Sequence, residues 1–550
     1  MASSSVLLPP AEAPAIPAAP PAPAAPPART VPESQFHLWM IAASVMLAVF
    51  MVVLDTSVAN VALPHIAGNL SAATDESTWV LTSYLVSSAI MLPASSWIAR
   101  RLGRRRLLVV SIGVFTGASV LCGMAANLQM LIAARVLQGV GGGSMLPLAQ
   151  AILLESFPPS KHAVAMAAYG AGVVVAPVIG PTLGGWITDN FSWRWLFYIN
   201  LPVGAVAIAM ARTFIHDPPY LRRPTRGVVD FVGFGLMALW LGSLQLVLDK
   251  GQEADWFGAS WICWMSVFSV LALAGFLVWE FRQREPIVQM RVLGNRNFWV
   301  GTVITCLYGF VLYGAIALLP LFLQTLMGYP ALDSGLAVSP RGIGSIVSTV
   351  AAGYLASRID GRILLAFGFG VFGVSILMLC RVNLEISMIS IVLPNLLNGF
   401  AGGFIFVPLT TMTMGRLHPE EMGNAAGIYN LMRNLGGSVG IAVVTTFLVR
   451  GAQFHQTHLG ASVIADSPVV LERLHGIQVR LQAGGADLAV ARARALALMY
   501  GTVKQQAALM AYLDNFRILG WLSLACIPFA LLFRKVRRPA GDHSEMAGEP

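Results

Sequence analysis

Arg135-Val136-Leu137-Gln138-Gly139-Val140-Gly141-Gly142-Gly143 has an echo in Asn395-Leu396-Leu397-Asn398-Gly399-Phe400-Ala401-Gly402-Gly403, 260 residues later. Each run is soon followed by a proline, Pro147 and Pro408, and Tyr169 and Gly180 recur as Tyr429 and Gly440. The offset is 260 residues throughout and 261 at the prolines. A further echo pairs the basic turn Ile98-Ala99-Arg100-Arg101-Leu102-Gly103-Arg104 with Leu355-Ala356-Ser357-Arg358-Ile359-Asp360-Gly361-Arg362. One such match is easily had among glycine-rich helices. An ordered series points to duplication.

The medium for that duplication follows from composition. The chain has 550 residues, 56% apolar and 11% charged, with a mean hydropathy of +0.70. Soluble domains carry about 25% charge, so a soluble multidomain enzyme is excluded. Stretches of about 20 apolar residues, each able to cross a ~30 Å hydrocarbon core as a helix, lie at 38–63, 79–99, 107–126, 128–154, 163–187, 196–214, 230–248, 258–281, 298–320, 333–357, 362–380, 386–414, 423–448 and 518–534. The fold class expected is an all-α polytopic membrane protein with fourteen transmembrane helices. The repeat then pairs helix 2 with 10, 4 with 12 and 5 with 13, both copies crossing in the same sense. Parallel repeats of this kind make two bundles that rock about a midplane site.

Position explains the net charge of +9. One set of loops carries Arg100, Arg101, Arg104, Arg105 and Arg106, then Arg212, Arg222, Arg223 and Arg226, then Arg282, Arg284, Arg291 and Arg296, and finally Arg534, Lys535, Arg537 and Arg538. The short loops opposite offer Arg194, Lys250 and Arg381. By the positive-inside rule both termini are expected in the cytoplasm. The excess charge is thus topology and attraction to the inner leaflet, and no nucleic-acid partner is expected.

The expected organisation is an Ala/Pro-rich cytoplasmic tail, 1–34, without the basic and apolar regions of a signal peptide. A six-helix bundle, 35–214, follows, then two inserted helices, 215–290, and five helices of a second bundle, 291–448. A long periplasmic loop, 449–517, precedes the last span, 518–538, and a cytoplasmic tail, 539–550. From about Asp487 to Tyr512 that loop is rich in Ala and Leu, and a helix or helical hairpin outside the membrane is expected there.

Further motifs fall in order along the chain. Leu54-Asp55-Thr56-Ser57-Val58-Ala59-Asn60-Val61-Ala62-Leu63-Pro64 opens the series, and Trp97-Ile98-Ala99-Arg100-Arg101-Leu102-Gly103-Arg104-Arg105 follows. Arg135, Gln138, Gly139 and Gly141 mark helix 4; Ala176-Pro177-Val178-Ile179-Gly180-Pro181-Thr182-Leu183-Gly184-Gly185 marks helix 5. Trp193-Arg194-Trp195-Leu196-Phe197-Tyr198-Ile199-Asn200-Leu201-Pro202 and the ending around Gln505, Gln506, Tyr512 and Asp514 complete it. In this order, from about Phe36 to Arg538, they resemble the major facilitator superfamily, and within it the fourteen-helix, EmrB-like drug:H+ antiporters. The resemblance implies a proton-driven multidrug exporter of the bacterial inner membrane, lipophilic substrates, a periplasmic adaptor of EmrA type and a TolC-like outer-membrane channel. A dedicated exporter of one metabolite would share nearly every motif. One departure stands out: the superfamily's loop motif usually has an acid where Arg100 stands and a glycine where Ser96 stands.

Charges inside spans are costly and pair or serve function. Asp55 and Arg135 each fall about eight residues from the outer end of their helices, so at 1.5 Å per residue both sit ~12 Å below the outer boundary. Their equal depth suggests a proton acceptor beside a guanidinium that tunes it. Arg341, eight residues into helix 10, and Arg433, with Asn430 and Asn434 on one side of helix 13, suggest substrate or gating contacts. Gln138, Asn60 and Tyr169 are candidate cavity residues, and Glu155, ending helix 4 at the cytoplasmic face, is an interfacial or gate residue. In helix 5, Gly172, Pro177, Gly180, Pro181, Gly184 and Gly185 make a thin, kinked helix suited to close approach. Arg100, Arg101, Gly103, Arg104 and Arg105 form the cytoplasmic loop motif.

No Walker-type phosphate loop, HExxH or GxSxG occurs, so neither ATP hydrolysis nor a catalytic centre is expected. The five cysteines, Cys122, Cys263, Cys306, Cys380 and Cys526, lack disulfide or metal spacing. No metal or cofactor is expected.

Overall fold

The computed structural model describes residues 35–218, 230–283, 286–356, 358–463 and 467–534. The tails 1–34 and 539–550 lie outside the described residues, as do Arg222, Arg223, Arg226, Arg284, Lys535, Arg537 and Arg538.

All fourteen apolar stretches fall on helices. They are α1 (Gln35–Asn69), α2 (Trp79–Leu102), α3 (Arg104–Gly123), α4 (Leu128–Ser156), α5 (His162–Asn190) and α6 (Asn200–Phe214), the last preceded by the single turn Trp195–Tyr198. The series continues with α7 (Phe231–Lys250), α8 (Ser260–Arg282), α9 (Arg296–Leu321), α10 (Pro340–Leu355), α11 (Gly361–Met378), α12 (Met388–Met414) and α13 (Met422–Ser462). A helix outside the expected spans, α14 (Pro468–Ala483), precedes α15 (Leu488–Ala530). Among the described residues, twelve helices are long and apolar enough to cross a membrane. The two stretches beyond those twelve are 333–357 and 518–534. The first is broken: a short helix Ala331–Val338 gives way to α10 at Pro340, whose missing N–H ends one run and starts the next. The second is the end of a 43-residue helix.

Polar side chains set the starts. Asn127 accepts the Met130 amide at 2.8 Å to cap α4, and Asn295 accepts the Asn297 and Phe298 amides to cap α9. Asp230 caps α7 through Gly233 and also receives the Trp279 indole, tying α7 to α8.

The packing carries the repeat. In the first half α2 and α3 pack on α4, α1 packs on α5 and α6, and α3 packs on α6. The second half reproduces these neighbours as α10 and α11 on α12, α9 on α13 and α15, and α11 on α15. The halves meet along two seams, α2 with α13 and α5 with α10, which exchange under the repeat equivalence. The pair α7–α8 sits outside, with α7 covering the α2–α13 seam. Trp264, Phe268, Val270 and Leu271 of α8 are exposed, as an outermost helix in lipid requires.

Close approach depends on small residues. A Cβ on Gly139 would strike Ser87 and the Tyr84 carbonyl of α2. One on Gly180 would lie 2.5 Å from the Ser57 Cβ of α1.

Candidate functional site

Three clusters of polar side chains are built into this frame. In the part of the first half away from the basic loops, α1 and α4 bring Asp55 and Arg135 together. Arg135 Nη1 donates to Asp55 Oδ2 at 2.6 Å, and neither side chain is more than 1% exposed. Gln138, one turn along α4 from Arg135, serves both: its Oε1 accepts from Arg135 Nη1 at 2.7 Å and its Nε2 donates to Asp55 Oδ1 at 2.8 Å. Asn200, the first residue of α6, also donates to Asp55 Oδ1, at 3.0 Å, and to Ser119 Oγ at 2.9 Å. Arg135 Nε donates to the Val80 carbonyl at 3.0 Å, and the guanidinium lies 4.4 Å from the Tyr84 ring centroid. The Asp55 carboxylate thus accepts from three amide or guanidinium donors. Protonation changes that arrangement, since a carboxylic acid offers a donor where each neighbour now donates to it.

At the seam between the halves, α13 presents Asn430 and Arg433. Asn430 Nδ2 donates to Gln150 Oε1 of α4 at 2.6 Å, a hydrogen bond between halves. Arg433 Nη2 donates to Asn430 Oδ1 at 2.8 Å, while its buried Nε is left without a hydrogen bond. Tyr169 of α5, fully buried, lies beside Arg433 and stacks on Phe406 of α12 at 5.8 Å. Arg341 is half-buried near Tyr308 and makes no hydrogen bond or ion pair among the described residues. Asn434 is half-buried and shares none of these bonds.

The third cluster lies at the end marked by the basic loops. Arg104, buried, pairs with the partly buried Glu155 of α4. Arg101 lies over the Trp97 ring at 4.6 Å. Gly103 takes φ +84°, and the Arg105 amide donates to Asp217 at 2.9 Å. A side chain at Gly103 would meet both that φ and the Asp217 carboxylate.

Of the residues marked in the sequence, Asp55, Arg135 and Gln138 are brought into one network. Arg433, Asn430 and Tyr169 form another, and Arg104, Glu155, Gly103 and Arg105 gather at the loop. Asn60 stays apart, exposed and bonded to the Thr56 carbonyl of its own helix. In α5, Gly172, Gly180 and Gly184 face Met46, Ser57 and Val58 of α1, whereas Gly185 meets nothing within 4 Å and Pro177 is exposed. The sequence marks Asn200 only as a member of the Trp193–Pro202 motif, without a role, and does not single out Ser119 or Gln150, whose only signal was a hydroxyl or amide inside an apolar run.

The family model for the Major Facilitator Superfamily matches residues 45–441. The chain belongs to the major facilitator superfamily. Within it, the chain is 36% identical over 495 residues to the fatty acid resistance protein FarB of Neisseria gonorrhoeae, covering 90% of this chain and 95% of that one. It is 37% identical to the multidrug export protein EmrB of Escherichia coli strain K12, over 80% of this chain and 85% of that one. The probable multidrug resistance protein EmrY of the same strain is 38% identical, over 78% and 84%. The crystal structure of the human organic anion transporter MFSD10 shares the fold, with a TM-score of 0.58 at 14% identity, over 88% of this chain and 99% of that one. The chain is thus an EmrB-like member of a transporter family, with the multi-pass helical architecture of that family.

Proposed function

We propose that the chain is a proton-driven multidrug efflux transporter, a drug:H+ antiporter, of the bacterial inner membrane. Asp55 carries the proton and Arg135 holds the deprotonated state. The observation that supports this most is the buried Asp55–Arg135–Gln138–Asn200 network. A buried ion pair is a weak source of stability, but it is suited to a reversible proton site. Protonation from outside removes the attraction to Arg135 and frees the first half to rearrange; loss of the proton inward restores the pair. A proton crossing 100 mV supplies about 2.3 kcal/mol.

In this reading fourteen helices cross the membrane, both termini are cytoplasmic, and residues 35–214 and 291–538 are the two rocking bundles with 215–290 inserted between them. Glycines 172, 180 and 184 form the sealing face of α5 against α1. Arg341, Arg433, Asn430, Asn434, Tyr169 and Asn60 border the substrate path, and Glu155 with Arg100, Arg101, Gly103, Arg104 and Arg105 controls its inner end. The hairpin above α13 and α15 receives a periplasmic adaptor of EmrA type, leading to a TolC-like channel.

A narrower reading, a dedicated exporter of acidic amphiphiles, draws on two observations. Arg341 and Arg433 lack carboxylate partners among the described residues, and FarB is named for resistance to fatty acids.

The deciding test is substrate export by purified protein in proteoliposomes under an imposed pH gradient. Asp55→Asn is expected to abolish gradient-driven export while retaining substrate binding. Proton-coupled export at wild-type rate by Asp55→Asn would refute the reading. Competition by fatty acids but not by neutral or cationic lipophiles would select the narrower one.

A further inference from the structure

The segment between α8 and α9 is held by side chains from three parts of the molecule. Glu280, near the end of α8 and 3% exposed, accepts the Val288 amide at 2.5 Å. Arg100, in the last turn of α2, donates Nη2 to the Pro286 carbonyl at 2.9 Å. Asn424, in the first turn of α13, closes two bonds on one residue. Its Oδ1 accepts the Gln289 amide at 3.1 Å and its Nδ2 donates to the Gln289 carbonyl at 3.0 Å. Ile287 and Val288 are buried between these anchors. Connecting segments commonly run over the surface in contact with water. Here the backbone groups of 286, 288 and 289 are taken up by α2, α8 and α13 instead.

Location gives this consequence. α2 belongs to the first half, α13 to the second, and together they form one seam. Their inner ends already approach closely: a Cβ on Gly423 would lie 3.1 Å from Arg104 Nη2 and 3.7 Å from Ser96 Cβ. Arg100 occupies the motif position where an acid is usual, and its guanidinium has been turned to a main-chain carbonyl of the strap.

We propose that residues 286–290 are a latch that keeps the inner end of the α2–α13 seam closed. The strap continues through the turn Met290–Gly294 into α9, and α9 packs on α13. It therefore travels with the second half, Asn424 being its mount. Arg100 is the catch, and its bond to Pro286 breaks when the halves part, while Glu280 shapes the strap from the helix that leads into it. This inference rests on the rocking of the two halves in the reading above, and not on Asp55 as the proton site.

The test uses the full chain in nanodiscs with its five native cysteines replaced. Spin labels at Leu102→Cys and Glu420→Cys, two exposed positions on opposite halves, report the inner opening as a distance distribution. Arg100→Ala and Asn424→Ala are each expected to raise the ratio of open to closed populations roughly tenfold, the scale of one lost charge-assisted or two neutral hydrogen bonds. Arg100→Gln, which keeps a donor, falls between. The Arg100→Ala/Asn424→Ala double variant opens no further than the more open single, because both act through one strap. An unchanged distribution in Arg100→Ala, or multiplied effects in the double variant, overturns the latch.

A second measurement sets its direction without relying on those variants. Joining Arg100→Cys to Pro286→Cys with a short bis-methanethiosulfonate cross-linker is expected to arrest export, and reductant, which cleaves its mixed disulfides, to return export to the rate of the same variant before cross-linking. Joining Gln289→Cys to Asn424→Cys replaces the bonds it removes and leaves export running. Arrest in both pairs, or in neither, refutes the assignment of catch and mount. A chain in which Asp55→Asn proved harmless would still give both readouts.

Discussion

Arg135 spends its donors on three acceptors: Asp55, Gln138 and the Val80 carbonyl. Removing one charge of such a pair strands the other, which typically costs about 3–5 kcal/mol, whereas removing both leaves amides that bond each other. Arg135→Gln is therefore expected to lower unfolding stability in detergent by that amount. The Asp55→Asn/Arg135→Gln double variant recovers most of it, with export lost in both. Equal stability of the two variants in thermal unfolding would show that the pair is not the source of the cost. Arg135→Lys retains the charge but cannot reach Asp55 and Val80 with one planar fork, so reduced export is expected there too. Asp55 and Arg135 were legible in the sequence because a charge in an apolar span demands an explanation. Gln138 stood three residues from Arg135 and was legible as polar, but not as a bridge. The roles of Asn200 and Ser119 were not legible. An amide or hydroxyl in a helix is a modest cost that many packing contacts can meet, so its partner is set by tertiary approach.

At the level of the helix, apolar length put all fourteen stretches on helices, twelve of them long and apolar enough to cross a membrane, while the helix ends followed local chemistry. The break at Pro340 divides what hydropathy reads as one stretch, because proline removes a donor without changing apolar character. Continuation of α13 to Ser462 was hidden for the opposite reason. Residues 449–462 are too polar for lipid, yet nothing among them stops a helix already nucleated below. Small residues need a finer distinction, since α5 has glycines whose surroundings differ. Gly180 is packed against Ser57, two residues from Asp55, whereas Gly185 has open space. Gly180→Ala is expected to cost about 1–3 kcal/mol through overpacking and to slow export severalfold. Gly185→Ala is expected to leave both unchanged or slightly raise stability. Thermal unfolding and vesicle export of the two variants side by side check this; equal effects would mean that α5 needs thinness along its whole length.

For the molecule as a whole, the repeat was readable from the offset of 260 residues, but the two seams and the place of α7–α8 were not. They depend on which faces meet, and an all-round apolar helix does not declare its faces. The extension of α13 and α15 beyond the bundle shows a division of labour at this scale. With 41 and 43 residues, α13 and α15 run ~60 Å at 1.5 Å per residue, about twice the hydrocarbon thickness. Near the bundle they are tied by His455 to Asp514 at 2.7 Å and, farther along both helices, by Gln456 to the Tyr500 hydroxyl at 2.9 Å. Beyond these ties α14 packs on α15 and leaves Val469, Leu471 and Val479 exposed, as are Leu496 and Leu498 of α15. The ties lie between the bundle and the far end of the extension, so that end is removable without unfastening the C-terminal part of α15. Replacing 463–487 by a short Gly/Ser joint is expected to leave proton-driven export into vesicles within twofold of the full chain. In cells the same deletion is expected to lose adaptor pull-down and most resistance. Collapse of vesicle export would assign the extension to transport itself, and intact adaptor capture would place the docking surface elsewhere.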